Sequence, residues 1–305
     1  MYFQVLFFVT TTLLSALLST AVVITSSDGT DIFATAAGNP HNPSLVFVHG
    51  FALSGIVFDN LFHNKYLLAH FYLVAYDLRG HGRSGKPDSA DAYTSQLFAD
   101  DFDAVRTTFK LNSSILIGWS YGASVASDIF TYLEPGVISG FVSAAGIPYL
   151  GLTDANTPLS LTYVPGMLST DDVTLSVSSK LAFVESCFAN PDEVPIEVMW
   201  SWLGATNIQF PAISNLLLAR TQDVTQLYAA GAAGLPLLII YGTADAVLQD
   251  ASIASQVQPH FTNAQIQTIQ GAGHALFYDK EAAFVNALFQ FATSIGDPFP
   301  SRRRV

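Results

Sequence analysis

Three residues of this chain have the types and surroundings needed to make a hydroxyl attack a carbonyl: Ser120, Asp245 and His274. Ser120 is the centre of Gly118-Trp119-Ser120-Tyr121-Gly122. The apolar run 115–117 before it reads as a buried strand, and the small residues 123–127 after it open a helix. So sharp a strand-to-helix turn holds the serine backbone in a strained conformation, and residues without bulky side chains two before and two after it let strand and helix approach. The hydroxyl then projects at the carboxyl end of the strand, and the next backbone N–H points at the same spot.

A serine hydroxyl is a poor nucleophile near neutral pH and needs an adjacent base. His274, in Gly271-Ala272-Gly273-His274, supplies one; Asp245, in Gly242-Thr243-Ala244-Asp245, would hold the imidazole in the right tautomer and stabilise its charged form. Each residue alone has a plainer explanation. A bare G-x-S-x-G occurs by chance, Asp245 could cap a helix or make an Asx turn, and His274 could be a satisfied loop histidine. The order Ser, Asp, His, with each residue in a loop after a strand, favours the joint catalytic explanation. Charge developing on the carbonyl oxygen needs two donors. The Tyr121 N–H is one, and the Phe51 N–H, in the loop after strand 45–48, is the other. His49 reads as structural, and Asp77, Arg79 and His81 read as hydrogen-bond formers that stabilise a glycine-rich loop.

These positions require a sheet to present them. Strands are expected at 22–25 and 32–36 around a turn at 27–29, then at 45–48, 72–76, 115–117, 140–145, 237–241 and 264–269. Helices are expected at 57–69, at 94–110, where Phe98, Phe102, Val105 and Phe109 recur at helical spacing, and at 280–293. Strands alternating with helices argue for an α/β fold with a mostly parallel central sheet flanked by helices. Between 147 and 230 the pattern changes to Leu, Ser, Thr and Pro, with helical pieces near 178–188, 195–204 and 211–220. This segment reads as a helical cap inserted into a core of residues 22–146 and 231–305. Functional groups of such sheets gather at the carboxyl ends of the strands.

Composition narrows the classes. Half of the 305 residues are hydrophobic, and mean hydropathy is +0.38, so a large core is available. Net charge is −12, and three of the 12 basic residues form the tail Arg302-Arg303-Arg304. No basic stripe is available for phosphates, which argues against nucleic-acid binding. Cys187 is the single cysteine; it excludes an intrachain disulfide and a cysteine-rich metal site and reads as a small buried apolar residue. Residues 1–21 carry no charged side chain and read as a hydrophobic signal peptide, with Ser19-Thr20-Ala21 suiting a signal peptidase but no basic n-region before it. A membrane anchor through residues 2–21 and a helix packed on the body are the alternatives. The expected location is secreted or within the secretory pathway, with a membrane-anchored or intracellular protein as alternatives. One glycosylation sequon stands out, at Asn112.

The segments VFVHGFALSG (46–55), YDLRGHGRSG (76–85), GWSYGA (118–123), YGTADAVL (241–248) and GAGHALFYD (271–279) together resemble the α/β-hydrolase superfamily in its cap-bearing, esterase-like branch. The resemblance spans most of the chain. It implies a Ser-His-Asp hydrolase that works through an acyl-enzyme without metal or organic cofactor. Haloalkane dehalogenases and epoxide hydrolases share the fold but carry an aspartate where this chain has Ser120. The doubled glycine of the lipase HGG motif is absent, since Phe51 follows His49-Gly50. The expected substrate is a small or medium apolar carboxylic ester, with Trp119, Tyr121, Phe58, Phe277, Trp200, Trp202 and Phe210 as candidate substrate contacts. Lactone, thioester or carbon–carbon hydrolysis, acyl transfer and perhydrolysis would use the same residues. A ligand-binding receptor on the same fold is the alternative from a different class. The sequence leaves the physiological substrate and oligomeric state open.

Overall fold

The structure, a computed structural model, describes residues 20–295. The hydrophobic segment 1–19 and the basic tail lie outside them, and so do the signal-peptide and anchor readings, apart from Thr20 and Ala21. Those two residues belong to the first strand, so a cut after Ala21 would shorten a paired element. Among the described residues, no helix is long and apolar enough to cross a membrane.

Eight strands form one sheet: β1 (Thr20–Thr25), β2 (Asp31–Gly38), β3 (Ser44–Val48), β4 (Tyr72–Tyr76), β5 (Ser114–Trp119), β6 (Ile138–Ala144), β7 (Leu237–Gly242) and β8 (Ala264–Ile269). Their order is β1-β2-β4-β3-β5-β6-β7-β8. The first two strands pair antiparallel, and β2 is antiparallel to β4; every later pairing is parallel. The continuous apolar character of β3, β4 and β5 follows from this, because their side chains are buried on both faces. Edge strand β8 is instead largely exposed and carries Gln265, Gln267 and Thr268.

The helices are α1 (Asp59–Phe62), α2 (Lys65–His70), α3 (Ser95–Thr108), α4 (Val125–Tyr132), α5 (Ser160–Met167), α6 (Val173–Ser186), α7 (Ile196–Asn207), α8 (Pro211–Leu218), α9 (Thr225–Ala232), α10 (Asp250–Val257), α11 (Leu276–Asp279) and α12 (Glu281–Ser294). The helix expected at 57–69 is two pieces, because Asn64 leaves the helix and caps α2 by accepting the N–H groups of Tyr66 and Leu67. The aromatic stripe of α3 is buried as its spacing predicts, but Asp101 is buried with it. Its partner is Arg79, whose fully buried guanidinium forks onto Asp101 and also reaches Asp28. A buried charge persists only when paired in this way.

Helices α5 to α8 lie in the segment expected to form the cap. The sequence missed α5, which contains Pro165. The expected boundary at 230 falls inside α9, and α9 packs on α4.

Candidate active site

Loops at the carboxyl ends of β3, β5, β7 and β8 carry the expected residues. The turn after β5 has the strain that its sequence implies: Ser120 has φ +53°, in the left-handed region that costs an L-residue about 1–2 kcal/mol. The flanking glycines are required by contact. A Cβ on Gly118 would lie 2.3 Å from the Ala123 Cα, and one on Gly122 would lie 2.3 Å from the Val48 carbonyl oxygen. Strand, turn and following helix are packed backbone against backbone. A 3-10 segment, Ser120–Ser124, intervenes before α4.

Asp245 and His274 meet across neighbouring strands. His274 Nδ1 and Asp245 Oδ2 are 2.7 Å apart, and Asp245 Oδ1 accepts the backbone N–H groups of Val247 and Leu248 at 2.7 and 3.0 Å. Burial alone would raise the Asp245 pKa, but the His274 charge and hydrogen bond, the Leu248 N–H and Asp250 outweigh it and hold the carboxyl below its usual value. An ionised Asp245 makes Nδ1 the protonated nitrogen, so the His274 Nε2 lone pair is free. That Nε2 is buried and has no hydrogen-bond partner among the described residues. The His274 backbone is fixed from two sides: its carbonyl accepts the Trp119 indole N–H, and the next N–H, of Ala275, donates to the Cys187 carbonyl. Cys187 is buried, as expected.

Ser120, Tyr121 and Phe51 line one cavity of about 210 Å³. Its other walls include Leu152, Tyr163, Met167, Phe183 and Leu218 from the covering segment, and Val247 and Leu248 from the Asp245 loop; no lining residue is charged. The Phe51 N–H is engaged in no hydrogen bond among the described residues. The Phe51 and Tyr121 rings pack at 5.8 Å, and the Tyr121 hydroxyl donates to the Leu217 carbonyl. Ser120 and His274 are not joined by a hydrogen bond among the described residues; such contacts are often long before substrate binds.

Of the aromatics expected to contact substrate, Tyr121 lines the cavity; the others are corrected. Trp119, Phe58, Phe277 and Trp202 are all within 2% of full burial, and none lines the cavity. They pack on one another, and Trp119 packs on the His274 ring. Trp200 and Phe210 point outward, 65% and 63% exposed. The sequence shows aromatic side chains near the motifs but not which face of each element they occupy.

The side chains of the second titratable cluster hydrogen-bond to loop backbone. Asp77 accepts the N–H groups of Gly55 and Arg83 at 2.8 Å. His49 Nδ1 donates to the Gly50 carbonyl while Nε2 accepts the Leu78 N–H; burial holds this ring below its usual pKa and keeps it neutral. His81 is likewise buried and its pKa is pushed down by burial, with Nδ1 on the Arg79 carbonyl.

Sequence reasoning missed Asp128 and Arg220. Asp128, on α4, accepts from Ser95, Gln222 and Arg220, and Arg220 also donates to Ser124 Oγ. This ties the end of the covering segment to the helix behind Ser120. No local pattern joins residues 92 positions apart.

The model of the alpha/beta hydrolase family matches residues 45–287. Among curated proteins, the chain is 25% identical to a non-heme chloroperoxidase of Streptomyces lividans over 268 residues, covering 83% of this chain and 92% of that protein. Among solved structures it is similar to the esterase RhEst1 from Rhodococcus sp., with 27% identity, a TM-score of 0.79, and 90% of this chain and 99% of that one covered. The esterase EaEST from Exiguobacterium antarcticum shares the fold, with 19% identity, a TM-score of 0.74, and 90% and 100% covered.

Proposed function

The chain belongs to the alpha/beta hydrolase family, and from that premise we propose that it hydrolyses small to medium, uncharged apolar carboxylic esters through an acyl-enzyme on Ser120. One observation carries this reading: His274 has one ring nitrogen committed to Asp245 and the other buried and unpartnered. A base so arranged lacks only the hydroxyl it deprotonates.

Ser120 Oγ attacks the ester carbonyl carbon as its proton moves to His274 Nε2. The carbonyl oxygen becomes an oxyanion and is held by the Phe51 and Tyr121 N–H groups. Collapse breaks the bond to the alkoxy oxygen, which leaves as alcohol with the proton from Nε2. Water then attacks the acyl-enzyme, gives its proton to Nε2, and the acid leaves as Ser120 recovers its own. Asp245 stays ionised and stabilises the imidazolium formed in each half.

The cavity supports the substrate class. Its roughly 210 Å³ exceed the ~150 Å³ of an apolar cavity that accepts benzene, leaving room for a ring or a short chain. A wall without charge favours neutral groups. The likeness to a chloroperoxidase supports a second reading, in which hydrogen peroxide replaces water as the acyl acceptor and a peracid leaves.

The test is a fluorophosphonate probe and a panel of p-nitrophenyl esters on purified protein. Labelling at Ser120 with repeated turnover is expected. Labelling without turnover favours a ligand-binding receptor, and no labelling of folded protein removes Ser120 as nucleophile. Peracid formation with added peroxide separates the second reading.

A further inference from the structure

A second carboxyl lies beside the Asp245–His274 pair, and the scheme above leaves it unused. Asp250 opens α10 and is 6% exposed. Its carboxyl is within hydrogen-bonding reach of the Asp245 carboxyl, and its buried Oδ2 receives no N–H or O–H. Asp245, by contrast, is approached by three N–H groups, from His274, Val247 and Leu248. Both carboxyls are nearly buried, and neighbouring buried carboxyls strongly disfavour a second negative charge, so the pair retains one proton. The charge settles on the member surrounded by donors.

We propose that Asp250 is a positioning residue: a neutral carboxylic acid whose O–H donates to Asp245 and fixes the orientation and charge of the acid that holds His274. The proposal rests on the reading of Asp245 and His274 as acid and base. A neutral Asp250 carboxyl also leaves no full negative charge at the buried, unpartnered Oδ2. The other titratable groups facing the pair are the Tyr163 phenol on α5 and the Cys187 thiol after α6. Both have raised pKa values, from burial first and the Asp245 charge in addition, so neither brings a charge to the site. Burial, then the Asp245 charge, raises the Asp250 pKa well above the usual carboxyl value.

The experiment compares wild type with Asp250→Asn and Asp250→Leu in kcat/KM against pH and in thermal unfolding against pH. Asparagine keeps a neutral donor, so the acidic limb of its profile stays in place. Leucine removes the donor and concentrates the Asp245 charge on His274. The base then stays protonated to higher pH, and the acidic limb moves up by about one unit, as expected for one lost hydrogen bond to a carboxylate. An ionised Asp250 would predict the reverse for Asp250→Asn, a limb moved to lower pH by the lost negative charge; that result overturns the proposal, as does a wild-type profile in both variants.

Unfolding provides the arm independent of catalysis. The folded protein keeps an Asp250 proton that the unfolded chain releases above pH ~3.9. Wild type therefore loses stability as pH rises from there towards the raised folded value, and Asp250→Asn does not. The Tm of Asp250→Asn is expected to exceed that of wild type by a margin that opens above about pH 4. A margin that does not change with pH overturns the proposal. If Ser120 escapes fluorophosphonate labelling, the acyl-transfer reading fails, and the unfolding margin still decides which state Asp250 holds.

Discussion

The indole N–H of Trp119 donates to the backbone carbonyl of His274 at 2.9 Å. The residue immediately before Ser120 thus anchors the loop that carries His274, two strands beyond the neighbour of β5 in the sheet. Phe58, Phe277 and Trp202 close around the same indole. Aromatic side chains that look like a substrate pocket in sequence are instead the rigid backing of His274. The apolar cavity is lined by other residues, among them Tyr121, Met167, Phe183 and Leu248.

Trp119→Phe separates these roles. The substitution keeps most of the apolar volume and leaves the His274 carbonyl buried without a donor, which costs about 1–3 kcal/mol. Because Trp119 does not touch the cavity, kcat is expected to fall about ten-fold with KM little changed. Urea denaturation and steady-state kinetics on a p-nitrophenyl ester check both. A rise in KM with kcat intact would return Trp119 to the substrate pocket.

Ser120→Gly and Ser120→Ala are both expected to abolish turnover, but they differ in stability. Alanine retains the left-handed strain at φ +53°. Glycine relieves about 1–2 kcal/mol of it and returns roughly 0.5–1 kcal/mol through the freer unfolded chain. The glycine variant is therefore expected to be more stable than the alanine variant by up to about 1.5 kcal/mol in urea melts. A less stable glycine variant would show that the turn is not where strain is stored.

The sequence exposed what depends on local backbone geometry. Gly118 and Gly122 are legible because no side chain fits between strand and helix, and the apolar runs of β3, β4 and β5 are legible because burial on both faces permits nothing else. Asp245 and His274 were legible as loop residues after strands. Long-range pairing of side chains was not. Asp101 looks like a solvent-facing acid on α3 until Arg79 is placed against it, and Asp250 looks like an ordinary first-turn helix acid until α10 is set beside Asp245. The covering helices hid most, because α5 contains a proline and α6 is apolar on exposed as well as buried positions, with Val173 78% exposed.

Cavity size sets a prediction for acyl preference. Met167 and Phe183 line the cavity and are themselves nearly buried. Replacing either by alanine lengthens the apolar space, and each further methylene seated there is worth about 0.8 kcal/mol, or about four-fold in kcat/KM. Over a series of p-nitrophenyl acyl chains, the optimum is expected to move to longer chains in both variants, with kcat/KM for the shortest ester reduced. An unchanged optimum would place the acyl group elsewhere.

Arg220 sets the last prediction. Its guanidinium is fully buried against Asp128, donates to Ser124 Oγ at 2.9 Å, and lies 3.9 Å from the centre of the Phe98 ring. Arg220→Met leaves the Asp128 charge buried with only Ser95 and Gln222 as donors, and removing one partner of a buried pair costs about 3–5 kcal/mol. Burial already raises the Asp128 pKa, and Arg220 is the main force lowering it. Without Arg220 the folded value rises further, so the folded state takes up a proton more readily than the unfolded chain. The cost of Arg220→Met should therefore shrink as pH falls from 7 towards 4. Adding Asp128→Leu removes the stranded charge and should recover most of the loss at pH 7, since an apolar replacement of a buried pair is often neutral. A double-mutant cycle by urea denaturation at both pH values measures these terms. A loss that is the same at both pH values and is not recovered in the double variant would mean that Arg220 acts through its stacking on Phe98 rather than through Asp128.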